Sequence, residues 1–204
     1  GHDPYSSSKA CAELITQSYN DSILSKLKIS CVTARAGNVI GGGDFAPNRI
    51  IPDFFRALDN KKTLKVRFPN AVRPWQYVLD PLFGYLLLAK KCYQMKQINF
   101  QSWNFAQNNK KIIKVKDLIS GLNKYSLVKI KVEYKSNVKL KKEKKYLNLS
   151  SFRSNKFLKW KAIYNIQETI AKIIEWETFF RKHKKIDFIC KKQIKEYLNK
   201  SSLN

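Results

Sequence analysis

Methionine is nearly absent: the chain has one, Met95, and begins with Gly1. The sequence therefore reads as one that begins inside a longer protein. Gly1 to Lys9 hold no apolar run, so nothing there resembles a signal peptide. No apolar run approaches the roughly 18 residues a membrane helix requires, and the apolar clusters around Tyr85–Ala89 and Ile170–Ile174 are short. No membrane partner is expected. Histidine is scarce too, with two residues, and the four cysteines, Cys11, Cys31, Cys92 and Cys190, lie far apart without a CxxC pair. A zinc site needs clustered ligands at fixed spacing, and a disulfide framework usually sits in a shorter chain. No metal is expected, and four reduced thiols point to a cytoplasmic protein.

Acidic residues number 15 against 40 basic ones, a formal net charge of +25. That balance raises a polyanion partner, but arginine supplies only seven of the 40 cations. Arginine makes the bidentate and stacking contacts of nucleic-acid readers, whereas lysine is a generic solvated charge. The lysines accompany many Ile and Asn residues and concentrate after Lys110, in stretches such as Lys139–Lys145 and Arg181–Lys185. The excess is read as surface solvation. A basic binding module remains the alternative, as does a non-catalytic subunit that completes its fold against another chain.

What the sequence does have is core material. Its 204 residues are 44% hydrophobic, too apolar for disorder and enough for one large domain or two small ones. Helical spacing of Ala10, Ala12, Leu14, Ile15, Tyr19, Ile23 and Leu24 predicts a helix over residues 5–27. Lys28–Ala36 alternates and carries β-branched residues, so it predicts a strand. A loop through Gly41-Gly42-Gly43-Asp44 leads to a short helix at Pro52–Leu58. Leu64–Phe68 and Trp75–Val78 read as strands, and Asp80-Pro81 opens an apolar helix to about Tyr93. Further on come a strand at Trp103–Phe105, a helix at Val115–Leu122, a strand at Val128–Tyr134, an amphipathic helix at Ile166–Phe180 and a last helix at Lys191–Leu198. Helices and strands alternating at this density, with no internal repeat, make an α/β fold. Two regions are expected, 1–95 and 96–204.

Tyr5 and Lys9 stand four apart and so share a helical face. A lysine ammonium beside a phenol favours the phenolate, which can remove a hydroxyl proton. The same spacing recurs at Tyr125 and Lys129, where a segment leading into a strand would not put the pair on one face. Trp75 and Trp103 read as core residues.

The run from Asp3 to Glu13, DPYSSSKACAE, resembles the active-site helix of the extended short-chain dehydrogenases that act on nucleotide sugars. Ala34 to Ala46, ARAGNVIGGGDFA, is similar to that group's passage from strand to substrate loop, and Asn48 to Asp53 follows it. The glycine loop together with Val72 to Leu82, VRPWQYVLDPL, and Gly84 to Ala89 is similar to the CDP-glucose 4,6-dehydratase family in particular. Trp103-Asn104-Phe105 fits the next element. The resemblance runs in order over about residues 1–110 and more faintly to the end.

That resemblance implies the C-terminal portion of a doubly wound, Rossmann-type parallel sheet plus a small α/β substrate-binding region. It implies NAD as cofactor, CDP-glucose as substrate, a role in lipopolysaccharide biosynthesis and a homodimer in the complete protein. Tyr5 is implied as the base, and Lys9 as its neighbour and the ligand of a cofactor ribose. Arg73 and Asn38 are implied at the substrate pyrophosphate, with Arg49 a weaker candidate; a bidentate arginine suits those oxygens. The family's glycine-rich fingerprint, its Ser/Thr partner to the tyrosine and its Asp-Glu pair all precede the tyrosine. The chain by itself is accordingly expected to be inactive and poorly stable.

Overall fold

A computed structural model describes residues 3–95, 101–107, 113–135 and 146–202. The lysine-rich stretch 139–145 lies outside the described residues. The first helix, α1 (Pro4–Tyr19), starts where Asp3 accepts the Ser6 backbone N–H at 3.0 Å and Pro4 takes the first turn. It ends in a π-type turn over Asn20–Leu24. There follow β1 (Val32–Ala36), β2 (Asn38–Ile40), α2 (Ile50–Asp59), β3 (Leu64–Val66) and β4 (Trp75–Tyr77). Next are α3 (Leu79–Gln94), β5 (Gln101–Phe105), α4 (Val115–Tyr125) and β6 (Val132–Tyr134). Helices α5 (Phe152–Leu158), α6 (Ile166–His183) and α7 (Asp187–Ser202) close the chain.

Among the described residues the three strand pairs are parallel: β1 with β5, β2 with β4, and β3 with β6. Parallel pairing with helices between the strands is the α/β arrangement expected. Two of these pairs, β1–β5 and β3–β6, span the division expected at residue 95.

The largest apolar cluster joins Phe54 and Phe55 of α2, Leu64 and Val66 of β3, Leu118 and Leu122 of α4, and Ile170 and Ile173 of α6. Each helix contributes one stripe at helical spacing, which is why these elements pack. A second cluster sets Leu88 of α3 against Trp103, Phe105 and Trp160. Gly84 permits that approach: a Cβ built there would stand 2.3 Å from the Phe105 ring. A third cluster of Tyr77, Tyr164 and Tyr197 docks α7.

The structure shifts several boundaries. The helix expected over 5–27 stops at Tyr19, and the strand expected from Lys28 begins at Val32. Lys28 adopts a left-handed φ of 57° and the Ile29 N–H bonds back to the Leu24 carbonyl, so these residues form the helix exit. The strand expected over Val128–Tyr134 keeps only Val132–Tyr134. Lys129 lies outside both elements, its Nζ donating to the carbonyls of Asn123, Lys124 and Ser126 at 2.7–2.8 Å. It caps α4, so the Tyr125–Lys129 spacing forms no helical pair.

Asp80, in the first turn of α3, is wholly buried. Its Oδ1 accepts from the Ile163 N–H at 2.8 Å and from the Tyr197 hydroxyl at 3.0 Å, while Oδ2 finds no donor. Burial pushes this carboxyl up to about 6, against those hydrogen bonds. A folded pKa above the unfolded one means stability that is full below the unfolded value of 3.8 and lost as pH rises through about 6. Relative to Asp80→Asn, the wild-type chain should be about 2 kcal/mol more stable near pH 4 than near pH 7. Urea melts of both proteins at several pH values test this, and parallel curves would refute it.

Candidate active site

The site is assembled where β2 runs beside β4. Gly37 has to be small: a Cβ there would lie 2.5 Å from the Pro74 carbonyl oxygen. This approach lets the Asn38 N–H donate to that oxygen at 3.0 Å and brings Asn38 into register with Trp75. Gln76, wholly buried, ties the pair to β5 by donating from Nε2 to the Phe105 carbonyl at 2.8 Å. Asn38 and Arg73, 35 positions apart in sequence, are thereby placed on one wall.

That wall belongs to a cleft of about 640 Å³. Tyr5, Asn38, Arg49 and Arg73 all line it, so four of the five residues expected at the site converge. Lys9 is not among the lining residues. It sits one turn along α1 from Tyr5, with its Nζ 5.6 Å from the Tyr5 ring centroid. Arg49 is the N-terminal flanking residue of α2, and its guanidinium reaches Asp44 at 3.3 Å. Asn48 takes a left-handed φ of 61° to turn the chain into that helix. Arg73 donates from Nη1 to the Val72 carbonyl at 2.7 Å.

Two further cations of the lining, Lys65 and Arg67, were missed in the sequence. The signal was there in the alternation of Leu64–Phe68: Leu64 and Val66 are buried, while Lys65 and Arg67 fall on the opposite, exposed side. Four cations against Asp44 and Asp53 give the cleft an excess of positive charge suited to a diphosphate.

Helix α1 buries none of its residues, and Glu13 supplies its polar tether to the sheet. The carboxylate accepts from the Arg35 Nε at 2.7 Å, the Thr33 hydroxyl at 2.7 Å and the Ser102 hydroxyl at 3.0 Å. The Arg35 hydrogen bond above all, with the Thr33 and Ser102 hydroxyls, holds it down at about 2, against the effect of burial. Tyr5, Lys9 and Glu13 recur every four residues, so the tether and the phenol–ammonium pair occupy one helical face. This residue too escaped the sequence reading. No group of three or more His, Cys, Asp or Glu side chains among the described residues is placed to hold a metal ion.

Residues 2–102 match the NAD dependent epimerase/dehydratase family. Across its length the chain is 30% identical to CDP-glucose 4,6-dehydratase of Salmonella typhimurium, an alignment covering 98% of this chain and 56% of the relative. Among solved structures, dTDP-glucose 4,6-dehydratase of Bacillus anthracis in complex with NAD superposes with a TM-score of 0.71. It is 19% identical over 89% of this chain and 53% of that one. UDP-glucuronic acid 4-epimerase of Bacillus cereus, solved with UDP-glucuronic acid and NAD, gives a TM-score of 0.72 at 18% identity, over 86% of this chain and 52% of that one. The two structures confirm the Rossmann-type α/β fold. The chain spans about half the length of these relatives.

Proposed function

We propose that the chain is the substrate-side part of a nucleotide-sugar 4,6-dehydratase acting on CDP-glucose. The convergence of Tyr5, Asn38, Arg49 and Arg73 on one cation-lined cleft carries this reading, and the 30% identity to a CDP-glucose 4,6-dehydratase supports the particular substrate. Arg73 and Asn38 hold the diphosphate oxygens, and Arg49 is a second cation beside them. The phenolate of Tyr5, favoured by the Lys9 ammonium beside it, takes the proton of the sugar 4-hydroxyl and becomes the phenol.

Tyr5 lines the cleft and the Lys9 ammonium stands 5.6 Å from its ring centroid, a donor set that fits the hydroxyls of a cofactor ribose. NAD, when bound, supplies the acceptor and returning donor of hydride. The carboxylates that eliminate water across C5 and C6 belong, by the resemblance, to the part of the family preceding the tyrosine. Turnover therefore belongs to the arrangement that includes that part. The exposed Leu14, Ile15 and Tyr19 of α1 offer a second copy a face for the homodimer this reading includes.

Thermal shifts test the substrate. CDP-glucose should raise the melting temperature while dTDP-glucose and GDP-mannose leave it unchanged; ligand at about 100 times its Kd adds about 2.7 kcal/mol. Equal shifts from all three, or no shift from any, would refute the reading. The chain with NAD and CDP-glucose alone should give no 4-keto-6-deoxy sugar, and formation of that product would overturn the requirement for the preceding part.

A further inference from the structure

The glycine loop at the cleft lies against a tryptophan from the far end of the sequence. A Cβ built on Gly42 would fall 2.2 Å from the Cγ and Cδ2 of Trp176, and one on Gly43 would fall 3.3 Å from its Cζ2. The indole of α6 is thus pressed onto loop backbone, with no room for any side chain between them. Gly43 has a φ of +80°, so the loop is also bent there in a way other residues rarely adopt. Phe45 completes the packing, its ring centroid 6.5 Å from that of Trp176 and 5.7 Å from that of Phe180. Trp176 and Phe180 stack on each other at 5.1 Å. Five residues beyond Trp176, Arg181 pairs with Asp59 at 2.9 Å and with Glu177, so the same helix grips the end of α2.

This packing reaches the cleft through the next residues. Asp44 accepts the Ala46 N–H at 3.0 Å and holds Arg49 at 3.3 Å, and both Asp44 and Arg49 line the cleft. An indole that sets the backbone at 42 and 43 sets the start of that chain of contacts. Trp176 itself is buried and is not among the cleft's lining residues.

We propose that Trp176 is a positioning residue of the cleft, holding the 41–46 loop so that Asp44 keeps Arg49 in register for the nucleotide diphosphate. The inference rests on the reading of the cleft as a CDP-sugar site. An unsupported loop should register in affinity, up to what Arg49 itself contributes.

Two readouts on the full chain decide it: hydrogen exchange of residues 42–46 and the Kd for CDP-glucose. Trp176→Ala should speed exchange in the loop about tenfold or more and weaken CDP-glucose by no more than Arg49→Ala does. Trp176→Phe, which keeps a ring against the glycines, should recover most of both. Gly42→Ala should reproduce the weakening, and combining it with Trp176→Ala should add little, because each change removes the same contact. Unchanged loop exchange in Trp176→Ala would overturn the proposal, as would faster exchange with an unaltered Kd. A wild-type chain that binds no CDP-glucose is a different result. It would refute the substrate reading and with it the role in substrate register, whatever the exchange showed.

Discussion

Trp160→Ala should cost the chain about 3–5 kcal/mol of stability, the range for deleting a buried large aromatic. The residue follows the left-handed Lys159 that ends α5, and it enters the core beneath α3 and β5 with 2% of its surface exposed. Its ring stands edge-on to Phe105 at 5.1 Å, and its Nε1 donates to the Asp80 carbonyl at 2.9 Å. Gly84 of α3 leaves no gap beside it, since a Cβ there would come within 2.9 Å of that same nitrogen. The truncation therefore opens a cavity between elements that cannot close on it, and removes a buried donor as well. In a chain expected to be poorly stable by itself, a loss of that size is a large fraction of the total. In urea the midpoint should fall with the slope unchanged, and the melting temperature should drop by something on the order of 10 °C. Trp160→Phe, which keeps most of the volume and loses the N–H, should cost less than half as much. A midpoint for Trp160→Ala within about 0.5 kcal/mol of wild type would remove Trp160 as the link between the C-terminal region and the β1–β5 pair.

The same residue shows where sequence reading stops. Helices α2, α4 and α6 were legible because each places its apolar residues at helical spacing and buries them in one cluster. Helix α5 was not foreseen. It is seven residues long, follows a lysine-rich stretch and buries only Ser154, so its periodicity carried no signal. It holds its place through the Ser154 hydroxyl, which donates to the Asn104 carbonyl at 2.6 Å, a partner 50 positions earlier. Strand β2 was hidden in a similar way. Its three residues between glycines are too few to alternate, and it exists because Gly37 lets the chain close on Pro74.

Legibility of the site followed the same division. Tyr5, Asn38, Arg49 and Arg73 could be named from motif blocks, and the cleft brings those four together. Glu13 could not be assigned a task because its partners stand at 33, 35 and 102, joined only once β1 pairs with β5. Lys65 and Arg67 carried no signal of a site in sequence, since cations on the outer side of a strand are ordinary, and only folding makes that face a cleft wall. Trp176 was read correctly as part of an amphipathic helix, but nothing local in sequence says that its indole rests on Gly42.

Among the cleft's cations, Arg73 should matter most to CDP-glucose. Its backbone is held on both sides, by bridges from Val72 to Lys114 and to Tyr146 and by the Trp75 N–H donating to its carbonyl at 3.0 Å. Its Nη1 is anchored on the Val72 carbonyl at 2.7 Å, so the planar fork is presented in a fixed orientation. Arg49 differs in exposure, its side chain being 67% exposed. Charge-assisted hydrogen bonds contribute about 1.5–3 kcal/mol each, so Arg73→Ala should raise the Kd for CDP-glucose roughly 10- to 100-fold. Arg49→Ala should raise it less than about tenfold, because an exposed, screened cation contributes about 0–1 kcal/mol. Arg73→Lys should restore only part of the loss, since a point charge cannot make the paired contact. Titrations with CDP and with cytidine locate the effect. Arg73→Ala should weaken CDP by the same factor as CDP-glucose and leave cytidine, which lacks the diphosphate, unaffected. A loss confined to cytidine, or Arg49→Ala proving the more damaging change, would place the diphosphate elsewhere in the cleft.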